Sequence, residues 1–149
     1  MEPVEVKEKK IYGLSARTRN ADEMNPSTAR IGRLWQEFDK TVEVDYRSGN
    51  RVYAVYSNYE SDMNGEYSIL AGTDQPNAKS ARALETKVIP AGKYIVFRAK
   101  GEVPAVVFEA WGKVWEYFSG KNAKYERSYV TDFEYYVNQS EIEIYIAVK

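Results

Sequence analysis

Residues 29–38, "ARIGRLWQEF", recur in altered form at residues 109–118, "EAWGKVWEYF", and this repeat decides the fold. Both copies have an apolar residue, a glycine, a basic residue, an aliphatic residue and a tryptophan in the same order, and both end on phenylalanine. The apolar residues have the spacing of one helix face: Ile31, Leu34, Trp35 and Phe38 in the first copy, and Trp111, Val114, Trp115 and Phe118 in the second. The sequence therefore predicts two amphipathic helices, eighty residues apart, in two related halves of the chain.

The residues around each copy predict where the helices begin and how they pack. Pro26 follows Asn25, a good N-cap, and Pro104 precedes the second apolar stripe, so both prolines suit the first position of a helix. Gly32 and Gly112 fall in the middle of the helices, where glycine costs about 1 kcal/mol relative to alanine. Their recurrence at the same site predicts close backbone packing there.

Strand patterns flank both predicted helices in the same order. One strand precedes each helix, and two strands joined by a short connection follow it. The six predicted strands are KKIYGLSAR (9–17), RVYAVYSNY (51–59), GEYSILAG (65–72), GKYIVFRAK (92–100), DFEYYV (132–137) and EIEIYIAV (141–148). We expect an α+β fold of two β-α-β-β repeats related by a pseudo-two-fold axis, with two long helices packed on a mostly antiparallel sheet.

The repeats define the expected domain organisation. We expect one domain over residues 1–149, with the first repeat at about 1–73 and the second at about 88–149. The segment between them, about 74–87, is polar and broken, and is expected to be a linker outside the core. Because the two repeats occupy the whole chain, we expect no DNA-binding segment.

The composition excludes several kinds of chemistry. Zero Cys removes disulfides and thiolate metal sites, and zero His removes the usual general base and most transition-metal sites. A net charge of −1 offers no basic footprint for nucleic acid. No apolar run is long enough to cross a membrane, and the charged start "MEPVEVKEKK" does not fit a signal peptide. We therefore expect a soluble cytoplasmic protein without a cofactor or a metal.

The last two predicted strands place a carboxylate, Glu134, among aromatic residues. A tight turn with Asn138 opposite Glu141 would set the register. The face packed on the helices would then hold Phe133, Tyr135, Val137, Ile142, Ile144 and Ile146. The opposite face would pair Glu134 with Tyr145, and Tyr136 with Glu143. A Glu on an open strand face is usually only solvated, so a structural role and a binding role both remain open.

The first repeat differs from the second at this position. At the offset of eighty residues, Ala54 occupies the place of Glu134. Two halves that share a framework but differ at one residue indicate a site that is specialised in one half.

In order and spacing, these motifs resemble the GyrI-like, or AraC-type, effector-binding domain. The matching residues are "IPAGKYIVFRAKGEVPAVVFEAWGKVWEYF" (89–118) followed by the strands "DFEYYV" and "EIEIYIAV", and the likeness covers nearly the whole chain. This family forms the small-molecule module of bacterial multidrug-sensing transcription regulators and also occurs alone, including on mobile gene cassettes. The resemblance implies a ligand pocket between the two halves.

The resemblance also implies which residues bind the ligand. In drug-binding members a buried Glu in a Phe-Glu-x-Tyr strand pairs with lipophilic cations, and here that residue is Glu134. Strand parity makes Tyr136 and Tyr145 candidate walls, while Trp111 and Tyr56 are further candidates that could instead be core residues. Without a ligand, such a buried carboxyl should have a raised pKa.

Three functions are compatible with the sequence. The first is a binding module for amphipathic, mostly cationic small molecules, acting as a sensor or a sequestering protein. The second is a hydrolase in which Glu134 and a second acid, Glu109 or Glu143, activate water. The third is a protein-interaction or inhibitor role, or a homodimer, formed through an exposed surface such as the loop "SNYESDMNGE" (57–66).

Overall fold

All six predicted strands and both predicted long helices are present in the computed structural model, which describes residues 2–76, 84–121 and 123–149. The strands are β1 (Val4–Val6), β2 (Lys9–Thr18), β3 (Val52–Ser57), β4 (Tyr67–Thr73), β5 (Glu85–Ile89), β6 (Gly92–Lys100), β7 (Arg127–Asn138) and β8 (Glu141–Val148). The helices are α1 (Asn20–Glu23), α2 (Ile31–Thr41) and α3 (Ala105–Ser119), with a 3-10 turn at Tyr46–Ser48. Within the described ranges, no helix has the length and apolar character needed to span a bilayer.

The strand order confirms the duplicated α+β fold. The eight strands form one antiparallel sheet in the order β1-β6-β8-β7-β3-β4-β2-β5. The counterparts in the two repeats are β1 and β5, β2 and β6, β3 and β7, and β4 and β8. If each strand is replaced by its counterpart, the result is the same strand order read from the opposite edge of the sheet. The pseudo-two-fold axis therefore passes between β3 and β7, where the two repeats meet.

Two edge strands, β1 and β5, were not predicted. Strand β5 begins in the last residues of the expected linker, of which residues 77–83 lie outside the described residues. It pairs with β2 and buries Ile89, which is 1% exposed, while its other residues remain exposed or half-buried. The sequence of a polar edge strand resembles that of a loop, because most of its side chains face water. Strand β1 pairs with β6 in the same way, so each repeat contributes one edge strand to the other.

One of the two predicted helix starts is correct. Helix α3 begins at Ala105, within one residue of the expected start at Pro104, but α2 begins at Ile31 and not at Pro26. Asn25 instead stabilises a turn, because its Oδ1 accepts a hydrogen bond from the backbone N–H of Ser27 at 3.0 Å. The N-terminus of α2 is capped by Glu23, whose Oε1 accepts from the Ile31 N–H at 3.1 Å. A cap supplied from a preceding turn leaves no local signal of the kind that a Ser or Asn N-cap leaves.

Both faces of the sheet are buried. On one face α2 packs on β2 and β4 and buries Leu34 and Phe38, and α3 packs on β6 and β8 through Val106, Ala110 and Val114. No long helix of the described residues covers the other face, but the sheet curls so that β5 contacts β7 and encloses a third cluster. That cluster contains Ile11, Tyr53, Val55, Leu70, Ile89, Tyr94 and Phe133.

The predicted register between β7 and β8 was wrong by one residue. The turn begins as expected, with Asn138 paired to Glu141, but an irregularity follows and Tyr136, not Val137, pairs with Ile142. Every side chain of β7 beyond this point therefore changes face. Glu134 pairs with Ile144 and faces the helices, so its expected place on the face away from the helices was also wrong.

Tyr145 lies on the opposite face of the sheet from Glu134. It pairs with Phe133, and the two rings stack with centroids 4.4 Å apart and planes 7° apart. The predicted neighbour relation between Tyr145 and Glu134 was therefore wrong.

The two mid-helix glycines are not sites of close packing, contrary to expectation. A Cβ atom added at Gly32 or Gly112 would meet nothing within 4 Å outside the local helix backbone. The closest backbone approach involves Gly13 in β2, where a Cβ atom would lie 1.9 Å from the carbonyl oxygen of Ala71.

Replacing Gly112 by alanine should therefore stabilise the protein. We expect Gly112→Ala to raise the free energy of unfolding by about 1 kcal/mol, the difference in helix propensity, because the new methyl group has free space. Urea denaturation measures the change. Gly13→Ala is the opposite control and should lower stability, because the methyl group would overlap the neighbouring strand. A loss of stability in Gly112→Ala would show that the glycine is required for packing.

Candidate functional site

The pseudo-two-fold axis passes through the predicted site. In the pairing of β3 with β7, Ala54 lies directly opposite Glu134, and these two residues are each other's counterparts at the offset of eighty residues. Ala54 is fully buried and Glu134 is 1% exposed. The small side chain of Ala54 leaves the space on the helix side of the sheet to a single carboxylate.

Three hydrogen bonds hold the Glu134 carboxylate. Its Oε2 accepts from the Tyr56 hydroxyl at 2.6 Å and from the Trp111 Nε1–H at 2.7 Å, and its Oε1 accepts from the Tyr136 hydroxyl at 2.8 Å. These donors come from β3, α3 and β7, so both repeats contribute to the carboxylate's surroundings. Hydrogen bonds to a charged acceptor are short and strong, and three of them fix the orientation of the group.

Burial controls the protonation of this cluster. It raises the pKa of Glu134 above the ordinary carboxyl range, while the hydrogen bonds from Trp111, Tyr56 and Tyr136 act in the opposite direction. Burial and the neighbouring carboxylate also raise the pKa of the Tyr56 and Tyr136 hydroxyls well above their ordinary values, so both tyrosines remain protonated donors. The raised pKa that the sequence led us to expect for Glu134 is confirmed in direction.

Glu134 lies in the wall of a large cavity between α2, α3 and the central strands. The cavity has a volume of about 1330 Å³. Ten aromatic side chains line it: Trp35, Phe38, Tyr46, Tyr56, Tyr59, Tyr67, Phe108, Trp111, Trp115 and Tyr136. Because both repeats supply these residues, the cavity lies where a pocket between the two halves was expected.

The opening of the cavity is apolar. In the described residues nine large hydrophobic side chains are exposed, and six of them line the cavity. These six are Met24, Tyr46, Met63, Val103, Phe108 and Trp115. Phe108, on α3, is 71% exposed. Exposed apolar surface concentrated at one opening is typical of a surface that binds something apolar.

The charged groups of the cavity wall are mostly occupied by the protein itself. The Glu23 carboxylate caps α2, with its Oε2 accepting from the Arg30 N–H at 2.8 Å. Arg51 donates to backbone carbonyl oxygens, including that of Val137 at 3.2 Å. Arg127 donates from Nη2 to the Asp132 carboxylate at 2.8 Å.

The structure brings together four of the five predicted site residues. Tyr56, Trp111 and Tyr136 surround Glu134, whereas Tyr145 lies across the sheet and donates to Glu143 at 2.9 Å. Whether these residues bind a ligand is a separate question, and their binding role remains a prediction.

The acids proposed for hydrolysis lie elsewhere. Glu143 pairs with Tyr135 on the far face of the sheet and accepts from Arg98 at 2.7 Å. Glu109 is exposed on α3 and does not line the cavity. Neither residue therefore forms an acid pair with Glu134.

Sequence reasoning missed a second polar cluster in the cavity wall. It consists of Arg127, its partner Asp132, and Tyr59, whose hydroxyl donates to Asp132. Tyr59 belongs to the loop that the protein-interaction hypothesis places at an exposed surface, but its hydroxyl is buried inside the protein. One signal was available, since Asp132 and Glu134 are two residues apart on a strand and must share a face. Two buried carboxylates on one face require a cation or several donors nearby.

The fold and this cavity define a class of protein, the GyrI-like effector-binding domains. The model of the family of integron-associated effector binding proteins, Cass2, matches residues 3–148, and the chain belongs to that family. The chain is similar to YobU of Bacillus subtilis (strain 168), described as a candidate transcriptional regulator, with 31% identity over 95% of this chain and 92% of YobU.

Solved structures share the fold. The integron cassette protein VCH_CASS2 from the mobile metagenome of Vibrio cholerae has a TM-score of 0.89 and 38% identity, over 99% of this chain and 94% of that one. The protein SAV2435, solved bound to tetraphenylphosphonium, has a TM-score of 0.67 and 20% identity, over 100% of this chain and 94% of that one. At the latter identity the likeness shows the fold alone.

The raised pKa of Glu134 predicts a specific dependence of stability on pH. Between the unfolded pKa, near pH 4, and the higher folded pKa, the folded protein holds a proton that the unfolded chain has released. The contribution of Glu134 to the free energy of unfolding should therefore fall as pH rises through this window. Glu134→Gln lacks this contribution. The free energy of unfolding of the wild type minus that of the variant should therefore fall as pH rises and then become constant.

Urea unfolding of both proteins from about pH 4 to about pH 8 measures this difference. Asp132, whose pKa is also raised by burial, is present in both proteins and its contribution cancels. A difference that stays constant across the range would contradict the raised pKa of Glu134.

Proposed function

We propose that the protein binds amphipathic, mostly cationic small molecules in the cavity and acts as a sensor or a sequestering protein. The observation that carries this proposal is the Glu134 carboxylate, which is buried in the wall of a cavity lined by ten aromatic side chains. A buried carboxylate without a cationic partner is costly. A cationic ligand would supply that partner and offset the cost.

The charge of the cavity wall favours a cation. The wall contains three carboxylates, Glu23, Asp39 and Glu134, and two guanidinium groups, Arg51 and Arg127. Arg127 is further neutralised by its ion pair with Asp132. The balance is therefore negative, which raises the local concentration of cations and disfavours anions.

The aromatic rings explain how a large cation would be held. The hydroxyls of Tyr56 and Tyr136 and the indole N–H of Trp111 all point at Glu134, so their rings surround the negative charge. A delocalised cation that lies against these rings gains cation–π attraction of up to about 2 kcal/mol when desolvated. It also lies close to the carboxylate without having to displace its three hydrogen bonds.

The size and opening of the cavity fit a bulky, apolar ligand. The volume of about 1330 Å³ exceeds the range of about 300–1000 Å³ that is usual for pockets that hold drug-sized molecules. The apolar opening formed by Met24, Phe108 and Trp115 would contact parts of a ligand that extend outward. The structure of SAV2435 with tetraphenylphosphonium, a cation with four phenyl groups, is support from the same fold.

We propose binding without turnover. A carboxylate pair that activates water needs two acids within reach of one water molecule. Glu109 and Glu143 lie outside the cavity, and the Glu23 carboxylate is occupied by the N-terminus of α2. Glu134 therefore has the surroundings of an anchor for a cation, and neither acid named in the hydrolase hypothesis lies in the cavity.

A matched pair of ions tests the proposal. Tetraphenylphosphonium and tetraphenylborate have the same four-phenyl shape and opposite charges. Both can be titrated by tryptophan fluorescence, because Trp35, Trp111 and Trp115 all line the cavity. We expect the phosphonium to bind at least about tenfold more tightly than the borate, and Glu134→Gln to weaken phosphonium binding by about tenfold or more.

Glu143→Gln is the matched control, because it removes a carboxylate from the neighbouring strand on the far face of the sheet. It should leave the affinity for the phosphonium unchanged. Equal affinity of wild type and Glu134→Gln would show that Glu134 is not the anchor. Failure of both ions to bind would reject the cavity as a cation site and leave a protein-interaction role as the alternative.

A further inference from the structure

Arg127 occupies a position in the cavity that the proposed role of Glu134 does not use. It stands at the start of β7, lines the cavity, and has a side chain that is 6% exposed. Its Nη2 donates to Asp132 at 2.8 Å. Asp132, which is fully buried, also accepts from the Tyr59 hydroxyl and, at 2.9 Å, from the Ala147 N–H. The guanidinium is therefore anchored from one side by a carboxylate that is itself held firmly.

The guanidinium also has a donor without an acceptor. The Nε of Arg127 is buried and has no hydrogen-bond partner among the described residues. It is the one buried side-chain nitrogen or oxygen in those residues of which this is true. Buried donors are nearly always paired, so an unpaired one at a cavity wall indicates an acceptor that comes from outside the chain.

Aromatic rings hold the guanidinium in place. Its Cζ lies 4.3 Å from the ring centroid of Tyr129 and 6.0 Å from that of Trp111. Tyr129 has a φ of 52°, in the left-handed region that non-glycine residues rarely adopt. It lies where the pairing of β7 with β8 shifts between Arg127 and Asp132, and such irregularities often redirect side chains at binding sites. The strained backbone of Tyr129 thus directs a ring onto Arg127.

Trp111 connects the two charged groups of the cavity. Its Nε1–H donates to Glu134 at 2.7 Å, and its ring lies beside the guanidinium of Arg127. A ligand that packs on this indole therefore has a carboxylate near one part of it and a guanidinium near another.

We infer that Arg127 is a second polar subsite of the cavity, and that it binds a hydrogen-bond acceptor, such as a carboxylate or a carbonyl, on the same ligand whose cationic group lies near Glu134. The ligand class is then an amphipathic cation that also carries an acceptor, rather than a cation with hydrocarbon substituents alone. This inference rests on the proposed function and adds the chemical character of the ligand to it.

Two series of triphenylphosphonium ions test the inference. One series carries a carboxylate at the end of its alkyl chain, from carboxymethyl to carboxybutyl, and the other carries a plain alkyl chain of matched length. The series of chain lengths is needed because the ligand must reach both subsites at once. We expect at least one carboxyalkyl ion to bind wild-type protein about threefold or more tightly than its alkyl counterpart, although the added negative charge opposes attraction to Glu134. The methyl ester of that ion keeps a carbonyl acceptor but has no negative charge, so its affinity shows whether a neutral acceptor is sufficient.

The preference for the acceptor should depend on Arg127. Arg127→Met leaves Asp132 buried without its cationic partner, so Arg127→Met/Asp132→Asn, which removes both charges, is the second variant. In both variants we expect the ratio of carboxyalkyl to alkyl affinity to fall below one, and Arg127→Lys to restore part of the preference. Arg98→Met removes an exposed arginine outside the cavity and should keep the wild-type ratio.

The outcomes separate this inference from the proposed function. If alkyl ions bind with dependence on Glu134 but no carboxyalkyl ion or ester binds more tightly, Arg127 faces only water and the inference fails while the proposed function stands. An acceptor preference that persists in the double variant would also overturn it. If neither series binds, both proposals fail.

Discussion

The position of Glu134 opposite Ala54, its own counterpart in the other repeat, is the constraint on which the rest of the site depends. A pseudo-two-fold axis brings equivalent residues face to face, so a fully symmetric protein would have two identical side chains at this point. Two glutamates there would place like charges together in a buried environment, which is strongly unfavourable. One alanine and one glutamate give a single negative charge, and the alanine leaves the space that the glutamate fills. The difference between the two repeats that creates the site thus lies at the pseudo-two-fold axis.

A buried charge must be stabilised by its surroundings, and this requirement accounts for the aromatic character of the site. Tyr56, Trp111 and Tyr136 donate to Glu134 through groups that carry no charge. These donors therefore do not neutralise the carboxylate, and its negative charge can attract a cation in the cavity. Asp132, two residues earlier on the same strand, is treated differently, because Arg127 neutralises it directly. The two carboxylates of β7 therefore have different roles: one supports an arginine in the wall, and the other remains free to attract a cation.

The sequence predicted the elements of the fold better than their relative positions. Both long helices and six strands followed from periodicity and from the eighty-residue repeat. The register of the last hairpin did not, because a single irregular residue, Val137, changes which side chains face the helices. Alternation could not reveal this, since the curled sheet buries both faces and both sets of side chains in β7 contain a buried or half-buried aromatic residue. Glu134 was named as a candidate through the resemblance, and Tyr136 through strand parity, which keeps residues two apart on one face whichever face that is.

The contacts of Arg127 could not be predicted from the sequence, because they depend on an irregular strand and on the curvature that brings Tyr59 to Asp132.

The central claim is that a bound cation interacts with the negative charge of Glu134, and the release of a proton on binding tests this claim directly. Calorimetric titration with tetraphenylphosphonium in buffers of different ionisation enthalpy, at a pH below the raised pKa of Glu134, counts the protons released. Release by the wild type that disappears at higher pH and is absent in Glu134→Gln is the predicted result. Binding without proton release, or the same release in the variant, would contradict the account.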